Sequence, residues 1–390
     1  MEKPRAVLGV IGPDSHDRRI LVRHWGSKIA PTVLVRFAVS VRDRSARPWW
    51  QGVAKASEPD IDFLDCLSQS MGQAVVILSL FDAWLRHAIV RYPDVDFIGR
   101  ADDDTVPSPG WLLSVVHEQS ARLAEMPGRA LYAGSVQWYN WDERHFRPLG
   151  WGAGPRGSRR SAVRENPRNC ALDVSTPMCS GPFPFTTGPL LLMSASLTRW
   201  YVNSSTVSAA ITQAFTARLN RTAGAPDVEY GVGKPLSLER ARKRGLFLRP
   251  TDAGDLDVRL FDDVFLGHAL CVGGAPNVSI LEFPPGLYAD VPCGGGQSGC
   301  RNGLRRFNFS SPGAPLLLHH VRNAALIPIA LEAVEFAPFL PQTAVHCTNY
   351  KSVSRGTPQP CGPGWQWCKT PFADPRQARR SIAIKVRAAS

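Results

Sequence analysis

Residues 97–112 read FIGRADDDTVPSPGWL: an apolar run, three consecutive aspartates, then a Pro/Gly turn. The apolar run has the character of a strand, and from Trp111 to about Met126 the pattern is helical. The aspartates therefore sit at the carboxyl end of a strand, ahead of a helix. Three adjacent carboxylates repel one another unless water solvates them or a cation neutralises them. On this stretch alone, a solvated acidic turn and a metal site are both open.

Working outward, AVLGVIG (6–12) reads as a strand. DRRILVRHWGSK (17–28) has the helical spacing of Ile20, Leu21 and Trp25, and TVLVRFAVS (32–40) is a β-branched strand. A long helix is expected over about residues 68–90, through Val76, Leu80, Ala83, Trp84 and Ala88. ALYAGSVQWYNW (130–141) follows as a further strand. The order βαβαβαβ predicts an α/β fold with a Rossmann-like, mostly parallel sheet flanked by helices. Ligands of such sheets lie beyond the carboxyl ends of the strands, where the aspartates are.

Later segments are less regular. Residues 146–180 and 286–315 read as loops, GPFPFTTGPLLLMSASLTRWYV (181–202) as a turn, a buried strand and a helix, and PLLLHHV (315–321) as a strand. The Cys/Trp/Pro-rich end, residues 346–390, reads as a stapled appendage to a domain of residues 1–345. That domain divides into a regular first half (1–135) and a second half with long loops (136–345).

At 390 residues and 44% hydrophobic, the chain can bury a substantial core. No apolar run approaches the roughly 18 residues that cross a bilayer, and the start lacks a signal-peptide pattern, so the sequence as it stands reads as soluble. Nine cysteines include the equally spaced pairs Cys293/Cys300 and Cys361/Cys368, each placed to staple a loop. Together with Asn-x-Ser/Thr sequons at Asn203, Asn220, Asn277 and Asn308, they favour an endomembrane lumen. The net charge of +12 is concentrated in RGSRRSAVR, ERARKRG and RQARRSIAIKVR. No zinc finger, helix-turn-helix or RNA-binding motif accompanies it, which argues against a nucleic-acid partner.

A strand-end Asp-x-Asp can hold Mn²⁺ or Mg²⁺ through hard oxygens and leave positions open for phosphate. If the strand continues, Asp102 and Asp104 share a face. DDDTVPSPGWLL lacks the closing glutamate of a calcium loop. A second acidic pair, Asp262/Asp263, suits either the solvated first turn of a helix or a proton acceptor for an attacking hydroxyl. His319 and His320 lie in an apolar strand, so alternation lets only one of them face a site.

These elements occur in the order seen in the beta-1,3-galactosyltransferase family, which includes N-acetylglucosaminyltransferases and Fringe-type enzymes. RRILVRHWG (18–26) resembles its Arg-Arg-x-x-x-Arg-x-Thr-Trp start, with His24 for Thr. DIDFLDCL (60–67) is similar to Asp-Phe-x-Asp-Ser-Tyr, departing at Cys66 and Leu67. FIGRADDDT (97–105) matches Lys-x-Asp-Asp-Asp, with Arg100 for Lys. PFPFTTGPLLLMS (182–194) resembles the family's Gly-rich segment, altered at Pro189 and Leu190. FDDVFLG (261–267) is similar to Glu-Asp-Val-Tyr-x-Gly, with Asp262 for Glu and Phe265 for Tyr.

The resemblance covers roughly residues 5–325. It implies a GT-A-type nucleotide-sugar-binding fold, a Mn²⁺ or other divalent cofactor, a UDP-sugar donor and a glycan or glycoprotein acceptor. It further implies inverting hexosyl transfer in the Golgi, with any membrane attachment through an N-terminal anchor outside this sequence. Carried over by residue, Asp104 and His319 are the expected metal ligands. Asp102, Asp103, Arg19 and Arg23 are expected around the nucleotide, and Asp263 is the expected base. A non-catalytic glycan- or nucleotide-binding relative on the same fold is the alternative.

Overall fold

The computed structural model describes residues 3–11, 16–40, 59–66, 73–142, 147–151, 179–222, 262–283, 288–291, 316–321, 327–335, 346–349, 361 and 364–369. In chain order these form β1 (Ala6–Ile11), α1 (His16–Ile29), β2 (Val33–Ser40), β3 (Ile61–Leu64), α2 (Gln73–Arg91), β4 (Phe97–Asp102), β5 (Val106–Pro107), α3 (Pro109–Glu125), β6 (Ala130–Asp142) and β7 (Arg147–Trp151). Then come β8 (Cys179–Ser194), α4 (Ala195–Asn203), α5 (Ser205–Thr222), α6 (Asp262–Val272), β9 (Val278–Glu282), β10 (Tyr288–Asp290), β11 (Leu317–His319), α7 (Ile327–Glu335), β12 (His346–Asn349) and β13 (Gln366–Lys369).

Strand β1 is buried along its whole length: Ala6, Leu8 and Val10 face one core, Val7 and Ile11 the other. A strand apolar on both faces needs a helical layer on each side. Trp25 of α1, Trp111 of α3 and Ala330 of α7 supply one layer. Trp84 of α2, Tyr201 of α4, Val207 of α5 and Phe265 of α6 supply the other. The approach of α2 is close enough that a Cβ on Gly9 would lie 2.3 Å from the Trp84 indole, whose Nε1 donates to the Gly99 carbonyl at 2.9 Å.

The main sheet runs β12-β13-β9-β6-β8-β4-β1-β2-β3, with β7 beside β6. Five of its nine pairings are parallel and four antiparallel. The expected mostly parallel sheet is present as two parallel blocks, and β8 runs against both. A small second sheet, β10-β11-β5, stands beyond the end of β4.

Residues 346–349 and 366–369, expected in an appendage, extend the main sheet: β13 lies parallel to β9 and β12 pairs with β13. This topology corrects one expected staple. Cys361 bonds Cys271 of α6, and Cys368 bonds its cross-strand neighbour Cys347, so Cys361 and Cys368 are not joined to each other. The other expected pair, Cys293/Cys300, and the three basic segments lie outside the described residues. Asn203 and Asn277 are exposed. No helix among the described residues is long and apolar enough to cross a membrane.

Candidate active site

Strand β4 stops at Asp102, whose carbonyl accepts the Thr105 amide at 3.2 Å and so closes a turn through Asp103 and Asp104. The chain then enters β5, which pairs antiparallel with β11. Backbone bonds flank this join: the Ser108 amide donates to Leu316 at 2.7 Å and the Val321 amide to the Asp104 carbonyl at 3.0 Å. The late strand is thereby fastened to the acidic turn. His319 Nε2 stands 3.3 Å from Asp102 Oδ2 and 3.2 Å from Asp104 Oδ1. Asp103 points elsewhere, with both of its oxygens 2.7 Å from Arg18 Nη1.

Although side chains alternate along a strand, His320 does not turn away. Its φ of 64° breaks the alternation, and its ring centroid lies 3.8 Å from that of His319. Ligand atoms of Asp104, His319 and His320 all fall within 4.8 Å of one another. For a residue with a Cβ, the left-handed region costs roughly 1–2 kcal/mol. Asp104 is thus grouped with two imidazoles, where alternation allowed for one, and Asp102 lies beside them.

The second acidic element arrives on α6. A Cβ on Gly267 would meet Phe185 Cβ at 2.4 Å and the Pro184 carbonyl at 2.7 Å, so glycine is what lets this helix lie against β8. At its N-terminus, Asp262 Oδ2 pairs with Arg100 Nη1, and Arg100 Nη2 also bonds Asp102 Oδ1 at 2.7 Å. Arg100 is 4% exposed, its guanidinium 5.4 Å from the Phe81 ring centroid. Asp263 accepts the Gly188 amide at 3.1 Å and the Val264 amide at 2.8 Å. A Cβ on Gly188 would stand 3.0 Å from Arg100 Nη2 and 3.4 Å from Asp102 Oδ2. Of the altered Gly-rich segment, Gly188 is therefore the residue at which the two acidic elements meet.

Replacing Arg100 with Met leaves Asp102 and Asp262 without their shared counter-charge. Removing one partner of a buried pair costs about 3–5 kcal/mol, a loss to be read from the urea midpoint. Lys keeps the charge but not the planar fork that reaches both carboxylates, so Arg100→Lys is expected to recover only part of the loss.

Electrostatics separate Asp102, Asp103 and Asp263. Burial raises the Asp102 carboxyl, but Arg100 and then His319 outweigh it and hold it below the ordinary range. Burial pushes Asp103 up to about 7 against the pull of Arg18, and it also raises Asp263, which Arg100 and the Val264 amide oppose. A carboxyl raised in the folded state contributes stability that is full below its unfolded value of about 3.9 and is lost as pH rises through its folded value. Relative to Asp103→Asn, the metal-free wild type should gain thermal stability on acidification from roughly pH 8 to pH 5. Parallel melting curves of the two proteins across that range check the sign.

Of the expected site residues, Asp102, Asp104 and His319 come together, and Asp263 reaches the same place through Gly188. Arg19 is buried in α1. Arg23 forms a two-point pair with Asp60, at 2.7 and 3.0 Å, fixing α1 to the segment before β3. The reading by residue missed Arg18 and Arg100, although both lie inside quoted motifs, as the first arginine of RRILVRHWG and the Arg of FIGRADDDT.

No protein-family model and no curated protein sequence matches this chain. Among solved structures it is similar to CMP:2-keto-3-deoxy-manno-octonic acid synthetase complexed with CTP, at 11% identity and a TM-score of 0.28, over 63% of this chain and 98% of that one. It is also similar to the apo-form glycosyltransferase GlyE of Streptococcus pneumoniae, at 12% identity and a TM-score of 0.31, over 85% of this chain and 60% of that one. A third likeness is to mannose-1-phosphate geranyltransferase from Thermus thermophilus, at 12% identity and a TM-score of 0.27, over 58% of this chain and 66% of that one. This chain thus spans less than two thirds of the GlyE structure. No residue role follows from these likenesses.

Proposed function

We propose that this chain is a metal-dependent inverting glycosyltransferase of the beta-1,3-galactosyltransferase type, on a GT-A-type fold. It would move galactose or N-acetylglucosamine from a UDP-sugar to a hydroxyl of a glycan or glycoprotein, forming a beta-1,3 linkage. The observation that carries this reading is the gathering, at one strand end, of Asp102 and Asp104 with His319 and with the helix that bears Asp263. The ordered motifs support it independently.

The donor set of carboxylate oxygen and imidazole nitrogen suits a divalent cation such as Mn²⁺, which Asp104 and His319 would hold. When bound, the cation supplies positive charge against the departing diphosphate. Asp102, fixed by Arg100, borders the same space. Arg18 and Asp103 brace the turn. Of the two arginines expected at the nucleotide, Arg19 keeps that assignment, while Arg23 is paired with Asp60. Asp263 takes the proton of the acceptor hydroxyl, whose oxygen attacks the anomeric carbon as the bond from that carbon to the diphosphate oxygen breaks. Asp262 is committed to Arg100, whereas Asp263 is held by backbone amides and its proton affinity is raised by burial. That division favours Asp263 as the base.

Screening a panel of UDP-sugars for Mn²⁺-dependent release of UDP tests the reading: turnover of a UDP-hexose is expected. A protein that binds UDP-sugar and cation without releasing UDP is instead the binding-only relative, a reading favoured by the two amide bonds already made to Asp263. A lumenal, Golgi location belongs to the same proposal. The Cys271–Cys361 and Cys347–Cys368 disulfides and the exposed sequons Asn203 and Asn277 support it.

A further inference from the structure

His320 occupies a position that favours glycine. Its neighbours on both sides are pinned: the His319 carbonyl accepts the Val291 amide at 2.8 Å and the Val321 amide donates to the Asp104 carbonyl at 3.0 Å. Between those bonds the chain must turn, and it does so through φ 64° at His320. Glycine makes such a turn without steric penalty, and Asn is the next most tolerant. An imidazole is found here instead, and the turn carries it alongside His319 with its ligand atom within 4.8 Å of those of His319 and Asp104. An outlying backbone conformation that directs a donor atom into a cluster of donors is an observation from which function can be argued.

We propose that His320 is a third protein ligand of the cation, and that the resulting set of two imidazoles and one carboxylate selects borderline transition-metal ions over Mg²⁺ and Ca²⁺. The proposal rests on the reading of this strand end as a cation site. Imidazole suits zinc, cobalt and similar ions, whereas Mg²⁺ and Ca²⁺ take oxygen donors. With a single histidine, oxygen donors from protein, phosphate and water would dominate the coordination, and Mg²⁺ would serve nearly as well. A second nitrogen shifts that balance. Asp102 Oδ2 lies 3.3 Å from the same His319 nitrogen that faces Asp104 Oδ1, so it borders the cluster on the oxygen side.

The decisive variant is His320→Gly, because it removes the imidazole and relieves the backbone at once. Calorimetric titration of the full chain with Co²⁺ and separately with Mg²⁺ gives the affinities, and the metal-free melting temperature reports the fold. Wild type should bind Co²⁺ at least about 100-fold more tightly than Mg²⁺. In His320→Gly, Co²⁺ affinity should fall by about 10-fold or more while Mg²⁺ affinity changes by less than about 3-fold. The metal-free melting temperature should stay level or rise. Electron paramagnetic resonance of the Cu²⁺-loaded protein should lose one of two coordinated nitrogens.

A His320→Gly protein that melts lower and binds Co²⁺ as wild type does would make His320 structural and overturn the proposal. So would a single coordinated nitrogen in wild type, or a wild type that binds no divalent ion. These readouts are independent of turnover. Two-nitrogen binding without UDP release would defeat the transferase reading and leave this one standing, and UDP release with Mg²⁺ and Mn²⁺ alike would do the reverse.

Discussion

Asp104→Ala is expected to abolish cation-dependent UDP release, lowering kcat/KM by about 1,000-fold or more. Loss of Lewis-acid stabilisation removes several kcal/mol from the transition state, and each 1.36 kcal/mol is a factor of ten. Asp104 is 3% exposed, and its Oδ1 is 3.2 Å from His319 Nε2; Asp102 Oδ2 lies 3.3 Å from the same nitrogen, but that carboxylate is tied to Arg100 through Oδ1 at 2.7 Å. Asp103, the adjacent carboxylate, is held by Arg18. The stability readout should move differently. Without a cation, removing one of three crowded carboxylates relieves repulsion, so metal-free Asp104→Ala should melt no lower than wild type. Mn²⁺ is expected to raise the melting temperature of wild type and to leave that of Asp104→Ala unchanged. Retained stabilisation by Mn²⁺ in this variant would place the ion elsewhere.

Asp263→Asn is expected to lower kcat by about 100- to 10,000-fold, the usual span for loss of a general base. Asn preserves the shape and can still accept a backbone amide through its oxygen, but it takes no proton. Cation and UDP affinities should therefore stay near wild type, which distinguishes this variant from Asp104→Ala. Asp262→Asn provides the contrast within the same helical turn. It breaks the pair with Arg100, so its expected defect is lost stability, measured by urea denaturation. Full turnover in Asp263→Asn would end the base assignment.

The sheet, its helical layers and the acidic strand end were legible because periodicity carries them. Residues 97–102 begin with an apolar run of the right character, and Pro109 opens α3 where its missing amide costs nothing. Asp102 and Asp104 were expected on one face only if the strand continued; it ends at Asp102, and the turn that follows brings both carboxylates to His319 instead. The choice between Arg18 and Arg19 was not legible. It depends on how burial of Leu21, Val22 and Trp25 rotates α1 about its axis, and Arg18 is the one that meets Asp103. The position of His320 rests on a single φ angle, which alternation cannot see. The cysteine pairing follows from the place of β13 beside β9, a long-range fact that spacing does not encode.

The placement of β13 bears on how the protein is handled. A fragment cut after residue 345, where the sequence suggests an appendage begins, would strip β12 and β13 from the sheet and bare the backbone edge of β9. An open edge of this kind recruits other chains. The same cut would orphan Cys271, whose thiol sits on the helix that begins with Asp262 and Asp263. Trimming for crystallisation or expression is therefore safer beyond Lys369, and the oxidant that closes Cys271–Cys361 belongs in the refolding buffer.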